Sequence, residues 1–94
     1  MRNYEGVFIF SPQVLEENRN EIIEKLKGVI ESAGSVTTLD DWGNRKLAYE
    51  INDFKEGYYT LINFEAETAV IAELERICKI TDGVIRNMII NLEK

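Results

Sequence analysis

The chain has 94 residues, 45% hydrophobic and 30% charged, with one proline and six glycines; this length and balance predict a single globular domain over residues 1–94 and exclude a disordered or low-complexity chain. One cysteine and no histidine exclude an internal disulfide, a Cys/His zinc site and a histidine-based catalytic triad, and no other metal or cofactor site is expected. Seventeen acidic against eleven basic residues give a net charge of −6, which argues against non-specific nucleic-acid binding through bulk attraction, so any RNA contact needs a local basic patch.

The apolar run from Val7 to Phe10, behind Glu5, is too short for a signal peptide or a membrane span. A soluble, cytoplasmic protein is expected. Tyr4 to Phe10, aromatic and β-branched, reads as a first strand, and Ser11 followed by Pro12 reads as a helix start, a capping hydroxyl before a φ-restricted first residue. Leu15, Ile22, Ile23, Leu26, Val29, Ile30 and Ala33 repeat at helical spacing, and Gly34 fits a left-handed C-terminal cap. Ser35 to Ile51 is strand-like, with a bend or bulge at Gly43 and Asn44. Asn52 to Gly57 reads as a polar connection and Tyr58 to Phe64 as a third strand, paired with the second as a hairpin.

A second amphipathic helix is predicted from about Thr68 to Lys79, with Val70, Ile71, Leu74, Ile77 and Cys78 on its apolar face and Glu67 or Thr68 as its cap. Asp82 and Gly83 then turn the chain, and Val84 to Leu92 forms a fourth strand. The order βαββαβ predicts an α+β, ferredoxin-like split βαβ fold, with two helices on one face of a four-stranded antiparallel sheet. Val7 to Phe10 and Met88 to Ile90 are apolar without alternation, so apolar side chains are expected on the face away from the helices, as surface hydrophobes or as a docking site.

The sequence contains no glycine-rich phosphate loop and no nucleophile elbow, so an enzyme is not expected. Asp40 and Asp41 are adjacent strand residues that point to opposite faces and grip one cation poorly. Cys78, at helical spacing with Leu74 and Ile77, reads as a small core residue despite its neighbour Lys79. Lys55 to Phe64, KEGYYTLINF, is a poor match to the aromatic strand of RNA-recognition modules, and Tyr58 and Tyr59 are better read as core or cross-strand packing.

The segment Leu39 to Ile51, LDDWGNRKLAYEI, sets Arg45 and Lys46 after a Trp-Gly bend and before the apolar Leu47, Ala48 and Tyr49. It resembles the second strand of the bacterial small-subunit ribosomal protein number six family. Met1 to Glu5 and Asp82 to Met88 are similar to that family's termini, so three segments in the right order span nearly the whole chain. The chain departs from the family at Glu50, where proline is usual, and at Asn44, where a basic residue is frequent.

The resemblance implies a non-enzymatic constituent of the small ribosomal subunit. It further implies binding to the central domain of 16S ribosomal RNA together with the small basic ribosomal protein number eighteen, with no small-molecule substrate. Arg2, Arg45, Lys46 and Arg86, all in the matching segments, are the candidates for RNA contact, their cationic groups suiting phosphate oxygens. Arg19 and Lys25, on a helix, are expected to be solvated. Because the fold hosts many functions, a small-molecule regulatory domain and a protein-interaction module are the alternatives; the basic doublet after the Trp-Gly bend favours the ribosomal reading.

Overall fold

The computed structural model describes residues 2–51, 54–81 and 83–92, with side chains from 48 to 51 and at 54 outside the description. The elements run β1 (Arg2–Phe10), α1 (Glu16–Glu31), β2 (Gly34–Ile51), β3 (Phe54–Ala66), α2 (Thr68–Ile80) and β4 (Val84–Asn91). All pairings are antiparallel and the sheet order is β2-β3-β1-β4, which is the expected split βαβ architecture.

Period-two geometry decides which side chains meet the helices. Tyr4, Phe8 and Phe10 on β1 and Ile62, Phe64 and Ala66 on β3 turn to one face, where they pack with Ile23, Leu26 and Ile30 of α1 and Val70, Leu74, Ile77 and Cys78 of α2. Each large side chain buried here contributes roughly 1.5–3 kcal/mol of transfer free energy. The helically spaced apolar residues thus form the buried faces of both helices, except for Leu15, which precedes α1 and is 68% exposed.

The start of α1 differs from expectation. Ser11 caps a local turn instead of a helix: its Oγ accepts the Gln13 amide at 3.1 Å, and its carbonyl accepts the Val14 amide at 3.1 Å. A serine hydroxyl satisfying nearby amides competes with the helix for the same donors, and the helix begins at Glu16 after an extended Leu15 with no side-chain cap. The Ser11 amide also donates to the Gly83 carbonyl at 2.7 Å, tying this turn to the one before β4.

Gly34 is not a left-handed cap. The described residues with glycine at positive φ are Gly43 (81°) and Gly83 (104°), and α1 ends on a right-handed Ser32. Gly34 instead opens β2, where a Cβ would lie 2.0 Å from the Glu65 carbonyl oxygen and 2.7 Å from Ala66 Cα. The constraint is close strand approach, not handedness.

The hairpin is longer than predicted, because Phe54 to Gly57, expected within a loop, already belong to β3. Asn52 and Asp53 of the expected connection, and Asp82 of the expected turn, lie outside the described residues. The expected bend is present: β2 shifts register between Asp41 and Gly43, and again between Val36 and Thr38 and between Lys46 and Ile51. The two outer strands are β2, which is bulged and charged, and β4, whose Met88 and Ile90 are exposed.

Candidate nucleic-acid interface

The helix-free face of the sheet can be read as rows of paired residues. At one end Arg45 pairs with Gly57; the next row runs from Gly43 through Tyr59 and Ile9 to Arg86. Then come Asp40, Leu61, Val7 and Met88, followed by Thr38, Asn63, Glu5 and Ile90. Glu65, paired with Asn3 and Ser35, lies at the far end. Two guanidinium groups thus lie toward one end, Asp40 shares the middle row with Leu61, Val7 and Met88, and Glu5 and Glu65 lie toward the far end.

The bulge builds the basic end. Gly43, at a φ of 81°, lets the strand take its extra residue, Trp42, a conformation that L side chains rarely adopt. Trp42 then lies parallel to Tyr59, with an interplanar angle of 6° and ring centroids 6.3 Å apart, and is 47% exposed. Arg45 donates from Nε to the Trp42 carbonyl at 3.2 Å, using one of five guanidinium N–H groups. Ile9, although on this face, is buried at 5% exposure beneath its neighbours; a Cβ at position 57 would sit 2.6 Å from its Cγ2, which explains the glycine there.

Among the four predicted RNA-contact residues, Arg45 and Arg86 come together. Their Cα atoms lie roughly 16 Å apart, three strand spacings and one row, within joint reach of one bound strand. Lys46 does not join them: the register shift precedes the doublet, so the two residues alternate, and Lys46 pairs with Glu56 on the opposite side. Arg2 pairs with Ala66, seven residues along β1 from the Ile9 row, roughly 23 Å away.

The tyrosines divide between the faces. Tyr58 packs against the edge of the helix-side core, and the Arg19 guanidinium sits 3.5 Å above its ring centroid, so Arg19 is held in a cation–π contact and is not simply solvated. Tyr59 points to the open face. The Trp42–Tyr59 pair and the carboxylates of the open face were not anticipated from sequence; the signal for the former was the parity of Tyr59 with Gly57 and Leu61, opposite to that of the fully buried Ile62 and Phe64.

Asp41 turns toward the helix side, where its Oδ1 accepts the fully buried Thr60 hydroxyl at 3.2 Å, so Asp40 and Asp41 do lie on opposite faces. Asn63 donates from Nδ2 to Thr38 Oγ1 at 3.0 Å, while its Oδ1 is buried on the open face. Cys78 is buried as expected, and burial, with Glu75 adding repulsion, pushes its thiol up to about 11. On the solvent side of α2, the Arg76 hydrogen bond holds the Glu73 carboxyl below its ordinary value. No described helix is long and apolar enough to cross a membrane.

Residues 3–91 match the family model for ribosomal protein S6. The chain is 54% identical over its full length to the small ribosomal subunit protein bS6 of Alkaliphilus oremlandii, and 57% identical to that of Clostridium novyi, in both cases covering the whole of either chain. The crystal structure of 30S ribosomal protein S6 from Thermotoga maritima superimposes with a TM-score of 0.89 at 38% identity, over 96% of this chain and 86% of that one. Family model, full-length identity and superposed fold agree: this chain belongs to the ribosomal protein S6 family, a family of structural constituents of the small ribosomal subunit.

Proposed function

We propose that the protein binds the central domain of 16S ribosomal RNA through the basic end of its open sheet face, jointly with small-subunit ribosomal protein number eighteen. The observation that carries this reading is the polarity of that face. Arg45 and Arg86 gather at one end, although the chain as a whole carries −6, and phosphate oxygens are the anions that guanidinium groups bind in bidentate fashion. Glu5, Asp40 and Glu65, with the apolar Val7, Leu61, Met88 and Ile90 beside them, suit a small basic protein with apolar contacts of its own. That partner would neutralise the charge that otherwise repels RNA.

Lys46 and Arg2 then meet other parts of the RNA, or none. The test is RNA binding by the purified protein with and without the partner, using a central-domain fragment of 16S RNA at two salt concentrations. Tight binding only with the partner is expected. Replacing Arg45 and Arg86 by alanine should weaken it and reduce the dependence of log K on log salt by about 1.8, from about 0.9 per phosphate contact. Wild-type affinity and slope in a folded double variant would remove both residues from the interface.

A further inference from the structure

We propose that Trp42 and Tyr59 form a stacking platform for an unpaired RNA base, whose flanking phosphates are held by Arg45 and Arg86. This rests on the RNA-binding reading above and names the form of RNA bound at its basic end. The two rings are parallel within 6°, and their centroids are 6.3 Å apart. At a contact separation near 3.6 Å between planes, that distance requires a lateral offset of about 5 Å, so neither ring covers much of the other. The pair therefore presents two parallel aromatic faces one stacking step apart, and Trp42 is nearly half exposed.

Burying apolar area alone does not require this arrangement. A core tryptophan would lie beneath the helices; this one is carried outward on an added residue, at a bulge that depends on the left-handed Gly43. Arg45 is bonded to the Trp42 carbonyl, and Arg86 stands in the same row as Tyr59 across Ile9, so the aromatic surface lies between two guanidinium groups. A flat π-face flanked by cations is what a base with its own backbone phosphates fits. A duplex, whose bases are stacked on one another, cannot use it. The platform thus selects a bulged, looped or single-stranded nucleotide.

The experiment uses the intact protein with its partner, a central-domain fragment of 16S RNA as the probe, and three readouts: affinity, salt slope and tryptophan fluorescence. Trp42 is the chain's single tryptophan, and the Trp42→Phe variant supplies the partner's background. RNA should quench the wild-type emission. Trp42→Leu should lose between about 5- and 150-fold in affinity, the range for one stacked base, with an unchanged salt slope, while Trp42→Phe stays within a few-fold of wild type.

Thermal unfolding of each variant checks that the half-exposed site tolerates the change. Wild-type affinity in Trp42→Leu, or emission unaffected by RNA, overturns the platform. So does a Trp42→Leu variant that loses affinity for the partner alone while the assembled pair still binds RNA normally, since the rings would then belong to the protein interface. If the wild-type pair fails to bind the fragment, the RNA reading falls first and the platform with it; if Arg45→Ala weakens binding and Trp42→Leu does not, only the platform falls.

Discussion

Cys78 shows how burial sets chemistry at a single residue. Cys78 is 4% exposed, and its thiol is pushed up to about 11 by burial and by Glu75. At pH 8 roughly one thiol in a thousand is ionised, so a thiol reagent should label the native protein far more slowly than the denatured chain; equal rates would contradict this. The folded value lies above the ordinary thiol value of about 8.5, so the neutral thiol's contribution to stability is complete below that pH. It is lost as the pH rises toward about 11, a decline that a Cys78→Ala variant should show less of in alkaline unfolding. Two glycines give opposite expectations. Gly28 lies within α1 with nothing near its missing Cβ, so Gly28→Ala should stabilise the protein by about 0.5–1 kcal/mol. Gly34→Ala drives a methyl into the Glu65 carbonyl and should cost about 3 kcal/mol or more; denaturant midpoints distinguish the two.

Among the elements, periodicity was the most legible property and boundaries the least. Both helices could be read because Leu26, Ile30, Leu74 and Ile77 recur at helical spacing, and the strands because β-rich runs such as Tyr4 to Phe10 and Tyr58 to Phe64 stand between turn signals, although they alternate poorly. The start of α1 could not, since Ser-Pro signals a helix start and a turn equally well, and the choice is made by the Gln13 and Val14 amides bonding back to Ser11. Ser11→Ala should therefore lower stability by about 1 kcal/mol without shortening α1, so that helical circular dichroism stays unchanged as the unfolding midpoint falls. The candidate site was half legible. A basic doublet after a Trp-Gly bend is visible in the sequence, but which of Arg45 and Lys46 reaches the open face depends on where the register shifts, and the shift between Asp41 and Gly43 is a property of two strands together. The parity of Tyr59 places it on the open face, but that Trp42 lies over it depends on the same shift.

For the molecule as a whole, net charge and local charge point in opposite directions. A chain of −6 that binds RNA should do so with a salt slope set by its few contacts and not by its total charge, so charge-reversing substitutions on the solvent face of α2, such as Glu73→Lys, should change that slope by much less than loss of Arg45. Filter binding across a salt series measures both. The order of strands has a consequence in time. β1 is central, with Tyr4 paired to Phe64 on one side and to Asn91 on the other, so it is synthesised before both of its neighbours and waits for them. Until Val84 to Asn91 emerge, one edge of β1 is open along Val7 and Ile9, and the long-range pairings that close it are the slow kind. A nascent chain halted before Val84 emerges should lack protease resistance and gain it only once β4 is free to pair with β1.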